Sequence, residues 1–425
     1  MKLCSVEINN YKGIEHLEMS FQDGVNLIIG NNGAGKTSLL QGVAVTLLEP
    51  LELLSGMSQI NVLDGDERIT TKVVSGTVMQ STENYPVELK AKLELNGTQY
   101  ECGKRKDSKV AVEESINFAV SRVFKAFFEA DGENVPLLCF QSANRIHHIV
   151  RIKKGNSIRI ATNAPERIQG YKGALNSSLA LNEIEQWCLQ MDFAEYQRKE
   201  PIKEYSSFRH IVSNFMKEMD DKASEPRVYY SSTASSLVYS DGKEEKPLYQ
   251  LSAGYQSVLS TILELAYRTV LLNPNIGENT EDLEGIVLMD EPDLHLHPEW
   301  QWKILGALNH TFPKVQFIVA THSPIILASA KDASIQLLKT PNEAVTLAEA
   351  YGYSINDVLA LRQSSTDMAP ELQEYYNRAE AIMDHGKPEE LERLIHEAST
   401  ALKANPVALK GFKDFIEVNR WIEED

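Results

Sequence analysis

Apolar and polar positions in this chain fall into two kinds of strand-like segment. Short apolar runs end abruptly in polar turns: "GVNLIIG" (24–30), "VPLLCF" (135–140), "GIVLMDE" (285–291) and "VQFIVATHS" (315–323). Runs of this kind read as strands buried on both faces, the pattern of a helix-covered parallel sheet. "KLCSVEI" and "VELKAKLEL" instead alternate, as strands with one wet face do, and "VVSGTVM" (73–79) reads as a further strand. Residues from about 178 to 222 read as helical, with Trp187, Leu189, Phe193, Phe208, Val212 and Phe215 facing a core. After Gly352 the spacing is helical to the end. Pro370, Gly386–Pro388 and Asn405–Pro406 divide that tail into helices near 371–385, 388–404 and 406–422. The expectation is an α/β fold with a helical insertion and a C-terminal helical extension.

Size and charge narrow the function. The 425 residues, 43% hydrophobic, suffice for a large core and one to three domains. Sixty acidic residues against 42 basic give a net charge of −18, so the average surface repels nucleic acid and anionic lipid. One strip departs from this. Arg145, Arg151, Lys153, Lys154, Arg159, Arg167 and Lys172 face only Glu166. It reads either as a phosphate-facing surface or as a basic face paired with acidic patches. Cys4, Cys102, Cys139 and Cys188 form no C-x-x-C pair and read as reduced thiols. No signal-peptide pattern opens the chain, and no apolar run approaches the ~20 residues of a membrane span. A cytoplasmic protein without membrane contact is expected.

Phosphate chemistry enters at "GNNGAGKTSLLQ" (30–41). Gly30, Gly35, Lys36 and Thr37 fit G-x-x-x-x-G-K-[ST], between an apolar run and a helical stretch. Backbone N–H groups from Asn31, Asn32, Gly33 and Ala34 through Ser38 can wrap phosphates at a helix N-terminus. Lys36 would reach the β- and γ-phosphates of ATP, and the Thr37 hydroxyl would ligate Mg²⁺. At the end of "GIVLMDE", Asp290 fits the magnesium-side carboxylate, and Glu291 fits the base that orients the attacking water. His295 and His297 alternate like metal ligands, but with no third ligand nearby they read as loop packing.

"LSAGYQS" (251–257), "EPDLHLHPEWQ" (291–301) and "ATHSP" (320–324) complete an ordered set. Over roughly residues 1–340 it resembles the ABC-type ATPases of the SMC, RecF and overcoming-lysogenization-defect group, and within them the AAA15/AAA21-type ATPases. The resemblance implies an ABC-type P-loop ATPase head in two lobes, 1–142 and 226–350, with a basic and helical insertion at 143–225 and a docking region at 351–425. It implies that Ser252 and Gly254 form the signature core, Asp293 the D-loop and His322 the switch histidine. Gln141 would be the Q-loop glutamine at Mg²⁺, and Lys12 a basic residue near the nucleotide. Tyr255 departs from the Glu or Gln common at its position. Two subunits would sandwich two ATPs, Ser252 acting across the dimer, with higher oligomers open.

The tail "YGYSINDVLALRQSSTDMAPELQEYYNRAEAIMDHGKPEELERLIHEA" resembles that of Septu-type and retron-associated ATPases. This implies an antiphage defence complex with a separate HNH endonuclease subunit, with reverse transcriptase and msDNA in a retron setting, and with nucleic acid reached through the complex. The chain would hydrolyse ATP and carry no nuclease site of its own. A RecF-like repair clamp without a nuclease is the alternative. A membrane-transporter subunit is disfavoured by the helical tail.

Overall fold

The computed structural model describes residues 1–54, 65–75, 78–130, 134–143, 167–176, 181–277, 280–347, 370–384, 388–401 and 416. The chain divides into two compact units, Met1–Tyr353 and Ser354–Asp425.

In the first unit, β1 (Lys2–Tyr11) and β2 (Ile14–Ser20) form a hairpin, and β3 (Val25–Ile29) leads into α1 (Lys36–Thr46). Four more strands follow: β4 (Arg68–Ser75), β5 (Val78–Asn84), β6 (Val87–Leu95) and β7 (Thr98–Lys106). A short β8 (Glu114–Ser115) precedes α2 (Ala119–Glu129) and β9 (Leu137–Gln141). Helices α3 (Leu181–Arg198) and α4 (Lys203–Met219) come before a small antiparallel sheet of β10 (Arg227–Ser231), β11 (Ser236–Ser240) and β12 (Glu245–Pro247). Then come α5 (Ala253–Leu272), β13 (Gly285–Asp290), α6 (Pro298–Thr311) and β14 (Val315–Ala320). Helix α7 (Pro324–Ser329), β15 (Ser334–Thr340) and β16 (Glu343–Leu347) end the unit's described elements.

The four apolar runs become β3, β9, β13 and β14, each buried along its whole length. They lie in one six-stranded sheet of order β16-β15-β3-β14-β13-β9, parallel except for β16. The alternating runs build a second, antiparallel sheet of order β2-β1-β6-β7-β8. In β6, Val87, Leu89, Ala91, Leu93 and Leu95 turn inward. Helix α1 fits between the sheets, with Leu39, Leu40, Val43 and Ala44 buried. Fully burying one such Leu or Val contributes about 1.5–3 kcal/mol. Gly42 lets α1 approach β1, since a Cβ there would stand 2.9 Å from Ile8 Cδ1.

Three expectations shift. Residues 73–79 span two antiparallel strands, β4 and β5, with the turn-prone Ser-Gly pair 75–76 at their junction. The 178–222 stretch forms two helices, broken at 199–202, where Pro201 has no N–H to donate and Lys199 has φ +58°. Phe193 is 44% exposed, because Ile184, Trp187 and Cys188 set the buried face of α3 and Phe193 lies about half a turn from it. Within the basic strip, Arg145, Arg151, Lys153, Lys154 and Arg159 lie outside the described residues. Arg167 is turned inward, donating to the carbonyls of Leu272 and Phe128. No helix among the described residues is long and apolar enough to cross a membrane.

In the second unit, α8 (Pro370–Asp384) and α9 (Pro388–Ala401) pair around Ala379, Leu391, Leu394, Ile395 and Ala398, joined by Ile416. Leu372, Tyr376 and Ile382 pack against this cluster. The rest of the third helix expected in the tail lies outside the described residues.

Candidate functional site

Four segments far apart in sequence end together. Parallel pairing sets Gln141 beside Met289, Asp290 beside Ala320 and Ala320 beside Ile28. The turns after β3, β9, β13 and β14 therefore share the carboxyl edge of one sheet, where open α/β sheets bind ligands. The loop after β3 carries the glycines. Gly30 passes so close to β15 that a Cβ would stand 2.3 Å from the Leu338 carbonyl oxygen. Gly35 caps α1 in the left-handed region (φ +95°), which a side chain would oppose. Asn31, Asn32 and Gly33 are exposed, whereas Lys36 is only 6% exposed.

The side chains of these turns interlock. Lys36 Nζ donates to the carbonyls of Gly30 (3.0 Å) and Asn31 (3.4 Å) and meets the His322 ring nitrogens. Thr37 Oγ1 donates to Asp290 Oδ2 at 2.9 Å. Glu291 continues the sheet by donating its N–H to the Ala320 carbonyl, at φ +49°. The His322 N–H donates to Glu291 Oε2 at 3.3 Å, and the ring Nε2 lies 3.5 Å from Oε1. Asp293 Oδ1 accepts from Thr321 Oγ1 at 2.5 Å, tying the two strand-end turns.

Burial governs the protons here. It pushes the Glu291 carboxyl up to about 7, and the nearby Asp293 charge adds to the effect. Burial lowers the Lys36 ammonium, against the pull of Glu291 and Asp290. Burial and then the Lys36 charge lower His322, so the imidazole is neutral at pH 7 and can accept from the ammonium. A carboxyl that titrates near neutrality beside a lysine and a histidine suits proton transfer.

The remaining sequence candidates divide. Gln141 is fully buried, with Nε2 donating to the Thr261 carbonyl (3.1 Å) and Glu264 Oε2 (3.3 Å), while Oε1 has no hydrogen-bond partner among the described residues. Lys12 is engaged by Gln41 of α1 and by Asp66, just before β4, at 3.5 Å. Ser252 stands at the N-cap of α5, exposed, and its side chain makes no capping bond. Gly254 lies against the loop after β13, where a Cβ would be 3.0 Å from the His295 carbonyl oxygen. His297 caps α6, its ring accepting from Glu299 N–H.

Glu264 escaped the sequence reading. Its signal is an acid four residues before Arg268 on an otherwise uncharged helix. Arg268 is fully buried and Glu264 half-buried, 2.9 Å apart, and Arg268 also donates to the carbonyls of Gly170 and Lys172.

This strand, loop and helix arrangement defines a P-loop ATPase class of site. The chain belongs to the family described as "AAA domain, putative AbiEii toxin, Type IV TA system", which matches residues 25–328, and an "AAA ATPase domain" model matches residues 1–48. The "Retron Vc95 probable ATPase" of Vibrio cholerae serotype O1 biovar El Tor is 23% identical, over 86% of this chain and 79% of that protein. The "Septu protein PtuA" of Bacillus mycoides (strain KBAB4) is 25% identical over 91% of this chain, which spans 48% of that protein's length. A solved SmcHead bound to the C-winged helix domain of ScpA is 14% identical, with a TM-score of 0.48, covering 82% of this chain and 98% of that one.

Proposed function

We propose that this chain binds and hydrolyses ATP as a subunit of an antiphage defence complex. Two copies close around two nucleotides, each site built from the sheet edge of one copy and the Ser252–Gly254 turn of the other. The observation that carries this reading is the pairing of a buried, interlocked edge with an exposed signature turn whose serine hydroxyl caps nothing. The names of the Vibrio and Bacillus relatives support the defence setting.

The residues fit Mg²⁺. Thr37 Oγ1 and Asp290 Oδ2 bring two hard oxygen donors together, and one strand over Gln141 Oε1 is a buried oxygen without a hydrogen-bond partner among the described residues. When bound, the ion neutralises phosphate charge. Backbone N–H groups of the loop and Lys36 hold the phosphates. Glu291, in its ionised form, takes the proton of the attacking water. His322, held by its own N–H on Glu291, stands where it can orient that water and the terminal phosphate.

The ATP-bound dimer would hold and control an HNH endonuclease, docked through residues 351–425, with reverse transcriptase and msDNA joining in a retron setting. Affinity purification from the native host, with and without ATP, tests this. An HNH-type endonuclease should co-purify, and its cleavage should respond to ATP. Recovery of recombination proteins without a nuclease would favour a RecF-like clamp and overturn nuclease control. Absence of ATP turnover would overturn the catalytic assignment.

A further inference from the structure

The first turn of α5 is exposed in front and fastened behind. Ser252 and Ala253 face solvent, while Tyr255, three residues after Ser252, reaches back into the protein. Its hydroxyl donates to Asp220 Oδ2 at 2.6 Å. Its ring meets Trp300 edge to face at 4.5 Å between centroids, and Tyr239 at 5.9 Å. Asp220 is the C-cap of α4 and only 5% exposed; Trp300 lies in the first turn of α6. Next to it, Asp221 accepts from Lys303 of α6 at 2.6 Å. The end of α4 is thus bonded to both helices that flank the signature turn.

The turn has few other fastenings. Ser252 makes no capping bond, and Gln256 donates back to Leu251, a local contact. Gly254 touches the His295 carbonyl only because it lacks a Cβ. Burial, the Asp220 bond and the Asp220 charge all raise the Tyr255 phenol, which therefore stays protonated and donates throughout the physiological range. A phenol–carboxylate bond in a half-buried place is short, directional and strong.

We infer that Tyr255 is a positioning residue for the proposed ATP sandwich: its bond to Asp220 fixes where Ser252 and the first N–H groups of α5 stand, and so couples dimer closure to the end of α4. The inference rests on the sandwich reading above. Donors that must meet a phosphate on another subunit gain from being held in place before closure, because small misplacements weaken charge stabilisation steeply. The role acts across the dimer, which a merely structural role would not.

Mixed dimers read that difference. A chain carrying both Lys36→Ala and Tyr255→Phe, paired with wild type, leaves one working site, whose signature turn comes from the substituted chain. Its turnover should fall about tenfold or more, the scale of one charge-assisted hydrogen bond, relative to Lys36→Ala paired with wild type. The reverse arrangement, Lys36→Ala paired with Tyr255→Phe, keeps an intact turn at the working site and should keep its rate. Asp220→Asn retains an acceptor oxygen and should restore turnover that Asp220→Ala loses. ATP affinity, measured in a Ser252→Arg background that cannot close, should be the same with Tyr or Phe at position 255.

Equal rates in both arrangements would overturn the inference, provided that a mixture of Lys36→Ala and Ser252→Arg chains regains turnover. If that control mixture stays inactive, the sandwich reading itself falls and this inference with it. A drop in ATP affinity matching the drop in turnover would reassign Tyr255 to folding.

Discussion

The carboxyl edge of the parallel sheet and the first turn of α5 are both polar, and they are built in opposite ways. At the edge, Lys36, Asp290, Glu291 and His322 are crowded together, and burial displaces the protonation of Lys36, Glu291 and His322. At the turn, Ser252 and Ala253 face outward, and the polar fastening lies behind them on Tyr255 and Asp220. Crowded, partly desolvated charge is suited to moving a proton. A braced, exposed turn is suited to presenting donors to another surface. On the sandwich reading proposed above, one chain carries two complementary half-sites rather than one complete site.

Substitutions at the edge should have the largest effects. Glu291→Gln removes the proposed base while nearly preserving shape. Turnover should fall about 100-fold or more, with ATP affinity retained, measured by phosphate release and calorimetry. Lys36→Ala should weaken ATP binding about tenfold or more, about 1.4 kcal/mol or above. Unchanged affinity in that calorimetric titration would remove the loop from the phosphate site.

Mixing sharpens the comparison further. Lys36→Ala and Ser252→Arg homodimers should both be inactive, and their verified heterodimer should regain one working site. No recovery would mean that edge and turn do not belong to separate chains' half-sites. The smallest effect is that of pH. In its proposed role Glu291 acts ionised, and burial raises its carboxyl to about 7, so activity should be lost as pH falls through that value. A kcat/KM profile, corrected for ATP affinity at each pH, should show this acidic limb. A limb near pH 4 to 5 instead would place Glu291 in an ordinary solvated environment.

The half-sites differ also in how far the sequence disclosed them. Each edge segment is a continuous apolar run ending in a polar turn, so Ile29, Asp290 and Ala320 mark strand ends without any knowledge of their neighbours. Ser252 was legible from the short motif around it. Its brace was not, because Tyr255, Asp220 and Trp300 meet only through the packing of α4, α5 and α6. The order of strands was likewise hidden, since pairing β3 with both β14 and β15 is set by contacts hundreds of residues apart. Phe193 misled because its apolar ring suggested a core position, although it lies about half a turn from the face of α3 that Ile184, Trp187 and Cys188 bury. In the tail, the same spacing held: Leu391, Leu394 and Ile395 form the inner face of a helix pair.

Among the described residues, strand β9 pairs in the sheet with β13 alone. Farther along the chain, Arg268 binds the carbonyls of Gly170 and Lys172. Helix α5 thus clasps both Gln141, through Thr261 and Glu264, and residues 170–172, through Arg268. Such an arrangement works as a socket with two fixed contacts. A cassette of different length or charge could be exchanged between them without spreading any strand pair that aligns Thr37, Asp290 and His322.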